Sequence, residues 1–164
     1  MTTGEGVRIE PVDPAGADAQ AALQRYLAEI AARIRLGNTG PADADAVDDY
    51  RSPGGVFLLV WRGDTVVGCG AVRRLEPGVG EVKRMWIDPG ARGRGLGRRL
   101  LASLETRARA LGYERLRLDT HEVLVEAIGL YEAHGYRRID RYHDYPDPTH
   151  FYERALEPPE PDHR

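Results

Sequence analysis

Arg92-Gly93-Arg94-Gly95-Leu96-Gly97 places three glycines within five positions, between a strand-like run ending at Ile87 and a helix-like run beginning near Leu96. Each glycine costs conformational entropy, and three are more than a plain turn needs. Backbone N–H groups in such a turn can converge on an anion, and the dipole of the following helix favours negative charge there. The chemistry expected is capture of a phosphate or pyrophosphate. Two well-known loops fail on spacing. A P-loop ends in Gly-Lys-Ser/Thr, but Gly97 is followed by Arg98-Arg99. A dinucleotide fingerprint begun at Gly93 needs a glycine where Arg98 stands. What remains is Arg/Gln-x-x-Gly-x-Gly on Arg92, Gly95 and Gly97, behind Ile87-Asp88-Pro89.

The elements that must hold this loop follow from periodicity. Val7 to Val12 reads as a short strand stopped by Asp13-Pro14. Leu23, Leu27, Ile30 and Ile34 fall at helical spacing and predict an amphipathic helix over 15–36, capped by Gly37. The acidic stretch Asn38 to Ser52 holds a short helix near Ala44 to Tyr50. Three runs, Val56 to Trp61, Val66 to Leu75 and Val79 to Ile87, are joined by Arg62-Gly63-Asp64-Thr65 and Glu76-Pro77-Gly78, so they should pair antiparallel. Leu96, Leu100, Leu101, Leu104, Ala108 and Leu111 then mark one apolar helical face, ended by Gly112. Arg115 to Asp119 is a strand, which makes Val79 to Asp119 a right-handed crossover with parallel outer strands. Val123, Ala127, Leu130, Tyr131 and His134 line a further helix closed by Gly135. Tyr136 to Tyr142 and Thr149 to Leu156 read as the last strands, around Pro146-Asp147-Pro148.

A second motif joins the loop. Ala127-Ile128-Gly129-Leu130-Tyr131-Glu132-Ala133-His134-Gly135-Tyr136 has the form A-x-x-L-Y-x-x-x-G-[FY] after a strand. With the glycine loop, and with Glu81 to Pro89 ahead of it, this resembles the GNAT acetyltransferases. The resemblance covers roughly Val7 to Leu156, its specific motifs lying in Glu81 to Tyr136. It implies an α/β (α+β) fold: a mixed, mostly antiparallel sheet of about six or seven strands flanked by helices. Two parallel strands, ending here at Ile87 and Asp119, would splay apart around acetyl-CoA. A single domain is expected over 7–156, with 1–6 and 157–164 disordered.

The resemblance also implies roles. Met85, Trp86 and Ile87 would offer backbone groups to the pantetheine arm, and a backbone N–H near Met85 or Trp86 would face the oxyanion. Arg92, Gly93, Arg94, Gly95, Leu96, Gly97 and Arg98 would cradle the pyrophosphate. Tyr131 matches the tyrosine that serves the leaving thiolate. A thiol near pKa 8.5 is more acidic than a phenol near 10, so Tyr131 should stabilise developing charge by hydrogen bonding, with net proton transfer only late. An ammonium cannot attack a carbonyl, and neutralising a lysine-like amine at pH 7 costs about 4 kcal/mol. Glu81 is the first candidate base, direct or through water; a glutamate at a strand start is also commonly a solvated charge. Asp119 is the second candidate, to bind the acceptor or to cap a helix. Tyr142, His143 and Tyr145 are candidates to line the acceptor pocket. Many family members carry an Asn seven residues before the tyrosine; here that residue is Leu124.

Composition sets the bounds. The 164 residues are 41% hydrophobic and 30% charged, with net charge −3, as in a globular domain with no global attraction to nucleic acid or membrane. No apolar run reaches transmembrane length, and the lone Cys69 cannot form an internal disulfide, which fits a cytoplasmic setting. His121-Glu122 begins like a zinc-binding helix, but Val125 replaces the second histidine, so no metal is expected. The expected activity is transfer of acetyl from acetyl-CoA to a primary amine of a small molecule, peptide or amino terminus. The alternatives are a longer acyl group or a non-catalytic acyl-CoA sensor. Dimers are common in the resembled family, so a homodimer is compatible with the sequence.

Overall fold

In the computed structural model of the chain, residues 6–34 and 47–158 are described. The expected cap at Gly37, residues 44–46 of the short helix, residues 43–46 of the acidic run and both outer termini lie outside them.

The strands are β1 (Val7–Pro11), β2 (Val56–Arg62), β3 (Thr65–Glu76), β4 (Val79–Ile87), β5 (Arg115–Thr120), β6 (Arg137–Arg138) and β7 (His150–Ala155). The helices are α1 (Ala17–Ile34), α2 (Leu96–Ala110) and α3 (Val125–Ala133). All seven strands form one sheet, ordered β1-β2-β3-β4-β5-β7-β6. Only β4 and β5 run parallel; every other pair is antiparallel. The expected fold class is therefore observed, with the crossover through α2 where the β-α-β pattern put it.

Each face of the sheet carries its own core. Leu100, Leu101 and Leu104 of α2 pack with Val72, Leu116, Leu118 and Tyr131 on one face. Ala19 and Ala22 of α1 pack with Phe57, Leu59, Cys69 and Trp86 on the other. Two small alanines let α1 lie close to the sheet, so its buried ridge starts on residues that carry little apolar signal.

The parallel ladder is short. Val79 faces Arg115, Gly80 faces Leu116, Glu81 faces Arg117, and there it stops. From there β4 stays with β3 to Ile87, and β5 stays with β7 to Thr120. A bulge explains the parting: Cys69 faces Trp86 but Ala71 faces Lys83, so Gly70 alone opposes Arg84 and Met85. Arg84 takes φ 58°, a left-handed conformation rare for a residue with a side chain. A bulge of this kind bends and twists its strand, here away from β5.

The end of the chain corrects the expectation. The strand expected over 136–142 shrinks to Arg137–Arg138, although Ile139 N–H still donates to Phe151 O at 2.9 Å. Arg141 then folds back, donating to the carbonyls of Tyr145 and Pro148, both at 3.0 Å. Those bonds hold residues 141–148 as a loop. The last helix also starts later than expected, and Val123 lies before it, 41% exposed.

Candidate active site

At the end of β4, bordered by α1, the glycine loop and α3, lies a cleft of about 250 Å³. Met85, Trp86, Ile87, Arg92, Gly93, Gly95, Leu96, Gly97 and Tyr131 line it, together with Tyr26, Glu29 and Arg33 of α1. Arg94 and Arg98 are exposed and do not line the cleft.

The glycines have distinct causes. Gly93 (φ 83°) and Gly95 (φ 78°) occupy the left-handed region. Gly97 is there for contact: a Cβ would stand 3.3 Å from Leu130 Cδ2, where α2 meets α3. Gly95 is also the N-cap of α2 and gives no side-chain cap. The first-turn N–H groups of a 15-residue helix are therefore left for an outside acceptor.

Backbone direction along β4 sorts the three expected pantetheine contacts. Asp88 N–H donates to Val67 O at 2.7 Å, and Trp86 O sits 2.7 Å from where a Cβ on Gly68 would be. Trp86 and Asp88 thus turn their peptide groups toward β3, leaving those of Met85 and Ile87 for the cleft side. This corrects the expectation for Trp86, which contributes a side chain instead: its indole N–H donates to Glu29 at 2.9 Å. Ile87 O is already met by Arg92 Nε at 2.8 Å. Arg92 also grips Glu29 through both carboxylate oxygens, at 2.8 and 2.6 Å. Its side chain clamps the loop to α1.

Tyr131 is buried at the inner end of the cleft. Its hydroxyl points to the Met85 sulfur at 4.0 Å, a weak acceptor. Burial holds that hydroxyl well above the ordinary phenol range, and nearby Tyr26 and Asp119 add to the effect. The group is a neutral donor with no strong internal acceptor.

On the α1 face of the sheet, beside the splay, stand Glu81 and Asp119. Glu81 is 1% exposed and both its oxygens are taken: Oε1 by Arg73 Nε at 2.9 Å, Oε2 by the Tyr142 hydroxyl at 2.7 Å. The solvated-charge reading of Glu81 is therefore overturned, because Arg73 and Tyr142 compensate its burial. Burial and the adjacent carboxylate push the Tyr142 hydroxyl far up. Asp119 differs. Its Oδ2 meets His143 Nε2 at 2.5 Å, and its side chain keeps 18% exposure. Single ligand atoms from Glu81, Asp119 and His143 lie within 4.8 Å of one another, a grouping invisible to sequence spacing.

The profile of the Acetyltransferase (GNAT) family matches residues 24–136, more than half of the chain. The chain belongs to the GNAT acetyltransferase family. An IAA acetyltransferase of Azospirillum brasilense is 41% identical over 127 residues, 74% of this chain and 83% of that protein. The N-alpha-acetyltransferase RimI of Mycobacterium tuberculosis is 34% identical over 134 residues, covering 79% of this chain and 81% of that one. A GNAT family acetyltransferase from Elizabethkingia anophelis, solved with acetyl-CoA bound, superposes with TM-score 0.67 over 93% of this chain and 99% of its own, at 16% identity. That last likeness speaks to the fold alone.

This GNAT acetyltransferase has functional candidates that periodicity could not find. Glu29 and Arg33 look like ordinary surface charges of α1, yet they border the cleft. Arg84 looks like a routine strand residue, and nothing in its neighbours signals a left-handed backbone. Cys69 is where expected, buried, with Sγ against Arg84 O at 3.3 Å and its thiol pushed up to about 12 by burial. Among the described residues, no helix is long and apolar enough to cross a membrane.

Proposed function

We propose that this GNAT acetyltransferase binds acetyl-CoA in the cleft at the end of β4, beside the glycine loop and α3, and transfers the acetyl group to the primary amine of a small molecule or an amino terminus. The observation that carries the reading is the junction of three things at one splay: a glycine-built, uncapped helix start, two cleft-facing peptide groups of β4, and a buried phenol lacking a strong acceptor.

Each part suits a portion of the co-substrate. The α2 start supplies oriented N–H donors for a pyrophosphate. The Met85 peptide, on the cleft side of the bulge, is the donor suited to a tetrahedral oxyanion. Tyr131 donates toward the departing sulfur. Its raised affinity for its own proton makes full transfer to a thiolate uphill, so it acts as a hydrogen-bond donor until late in the step. Glu81, with both oxygens committed, serves at one remove through Tyr142. Asp119, only partly buried, is the second carboxylate proposed to meet the acceptor.

The test is calorimetry with acetyl-CoA, then thiol release with a panel of primary amines in the same cell. Binding with amine-dependent release is the expected result. Binding without release on any amine would shift the reading to a sensor, and no binding would remove the cleft assignment.

A further inference from the structure

We propose that Glu29 of α1 is a positioning residue: by holding Arg92 it sets the glycine loop for a pyrophosphate, and it strengthens acetyl-CoA binding although its own charge opposes an anion. This rests on the acetyl-CoA reading above.

The Glu29 carboxylate is gripped from two elements. Arg92 Nη2 donates to both its oxygens, at 2.8 and 2.6 Å, and the Trp86 indole donates to Oε1 at 2.9 Å. The side chain keeps 19% exposure, so the pair with Arg92 is partly shielded from solvent, unlike an ordinary surface ion pair. Burial alone would raise the Glu29 carboxyl; the bonds from Arg92 and Trp86 outweigh it and hold the group below the ordinary range. At neutral pH Glu29 is therefore an anion at the edge of the cleft.

The loop needs a tie of this kind. Arg92 is its first residue, and Arg92 Nε also donates to Ile87 O at 2.8 Å. One guanidinium thus joins the end of β4, the start of the loop and α1. The residues that follow have little to hold them. Gly93 and Gly95 are both left-handed, and among the described residues a Cβ on either would meet no atom within 4 Å beyond its chain neighbours. Side-chain packing resumes at Leu96, which is buried. Glycines that reach this conformation without strain also leave it easily. The grip of Arg92 on Glu29 offsets that freedom at the point where the loop begins. Arg33, one turn along α1 from Glu29, donates in the same way to Glu126 Oε1 at 2.9 Å and to Val123 O at 3.3 Å. One face of α1 therefore fastens both the glycine loop and the start of α3.

Charge and position pull in opposite directions here. A carboxylate at the edge of a cleft that takes a polyanion repels it. A loop already held in its bound shape lowers the ordering cost of binding. The inference is that the second effect exceeds the first, which gives the test a sign.

The experiment joins calorimetry on the full chain to nitrogen relaxation of its backbone amides. The probes are acetyl-CoA and ADP, which carries a pyrophosphate and no acyl arm. Glu29→Gln keeps the size of the side chain and removes its charge. Affinity for both probes should fall about tenfold, the loss expected when one charged hydrogen bond is given up. Without ligand, the amide order parameters of Gly93, Gly95 and Gly97 should drop from the rigid range, about 0.85, toward about 0.6, while those of β3 stay rigid. In an Arg92→Gln background, Glu29→Gln should change loop order little further, because its effect runs through Arg92. Tighter or unchanged binding in Glu29→Gln would mean that charge decides, and would overturn the inference. Unchanged loop order, full additivity with Arg92→Gln, or an equal loss of order in β3 would overturn it as well. If Glu29→Gln loosens the loop but the wild type binds neither probe, the positioning of the loop stands and the acetyl-CoA reading falls.

Discussion

Tyr131 shows how much one side chain's surroundings decide its chemistry. A phenol with a carboxylate partner would be held away from a departing sulfur; this one faces a thioether at 4.0 Å. Tyr131→Phe should lower turnover by about tenfold or more, with acetyl-CoA affinity nearly unchanged, as steady-state rates and calorimetry would show. Wild-type turnover in that variant would remove the assignment. The residue was legible in sequence because Leu-Tyr-x-x-x-Gly fixes both its helix face and the turn that follows. Glu81 was legible by position only. Its burial depends on Arg73, across the β3–β4 pair, and on Tyr142, from a distant loop. The same loop carries His143, and no periodicity runs through it.

At the scale of elements, backbone contact is the limiting quantity. Strand β4 was legible from Val79 to Ile87 because turn residues bound it on both sides and apolar residues fill it. Its bulge was not, since an irregularity in pairing depends on the partner strand. Gly68 of β3 keeps the two strands in register where β4 leaves β5. A Cβ there would fall 2.7 Å from Trp86 O and 2.8 Å from Ile87 Cδ1. Gly68→Ala should therefore destabilise by about 2 kcal/mol or more, as overpacking against backbone does. A melting temperature equal to that of wild type would refute the contact.

A second element-scale link joins α1 to α3. Arg33 pairs with Glu126 and donates to Val123 O at 3.3 Å. The guanidinium lowers the Glu126 carboxyl to about 2 from an ordinary 4.5. A depressed folded value means the link stabilises above the unfolded pKa and loses that contribution as pH falls toward 2. Glu126 is half exposed, so the effect is small. The melting-temperature gap between wild type and Glu126→Gln should be present near neutral pH and close in strong acid. A gap that does not change with pH would show that the charge is not involved.

The whole molecule is a single sheet with two unequal attachments. Its left-hand strands, β1 to β4, are joined by long antiparallel ladders, and β5 and β7 by a ladder of six pairs. Between these groups run three backbone pairs, Val79 to Glu81 against Arg115 to Arg117. The overall order was legible because hairpin turns and one crossover leave few arrangements. The narrowness of the join was not, because it depends on where a ladder ends. Its consequence belongs to folding and exchange. Two well-knit blocks sharing so thin a seam should open as separate cooperative units, each with its own amide-exchange behaviour. A co-substrate seated across the seam would weld them: at one hundred times its dissociation constant it adds about 2.7 kcal/mol. Amides of β5 and β7 should then exchange in step with those of β3, whereas without ligand they should exchange sooner. If the proposed binding holds, the seam that the co-substrate ties together is also the line along which the protein is expected to open without it.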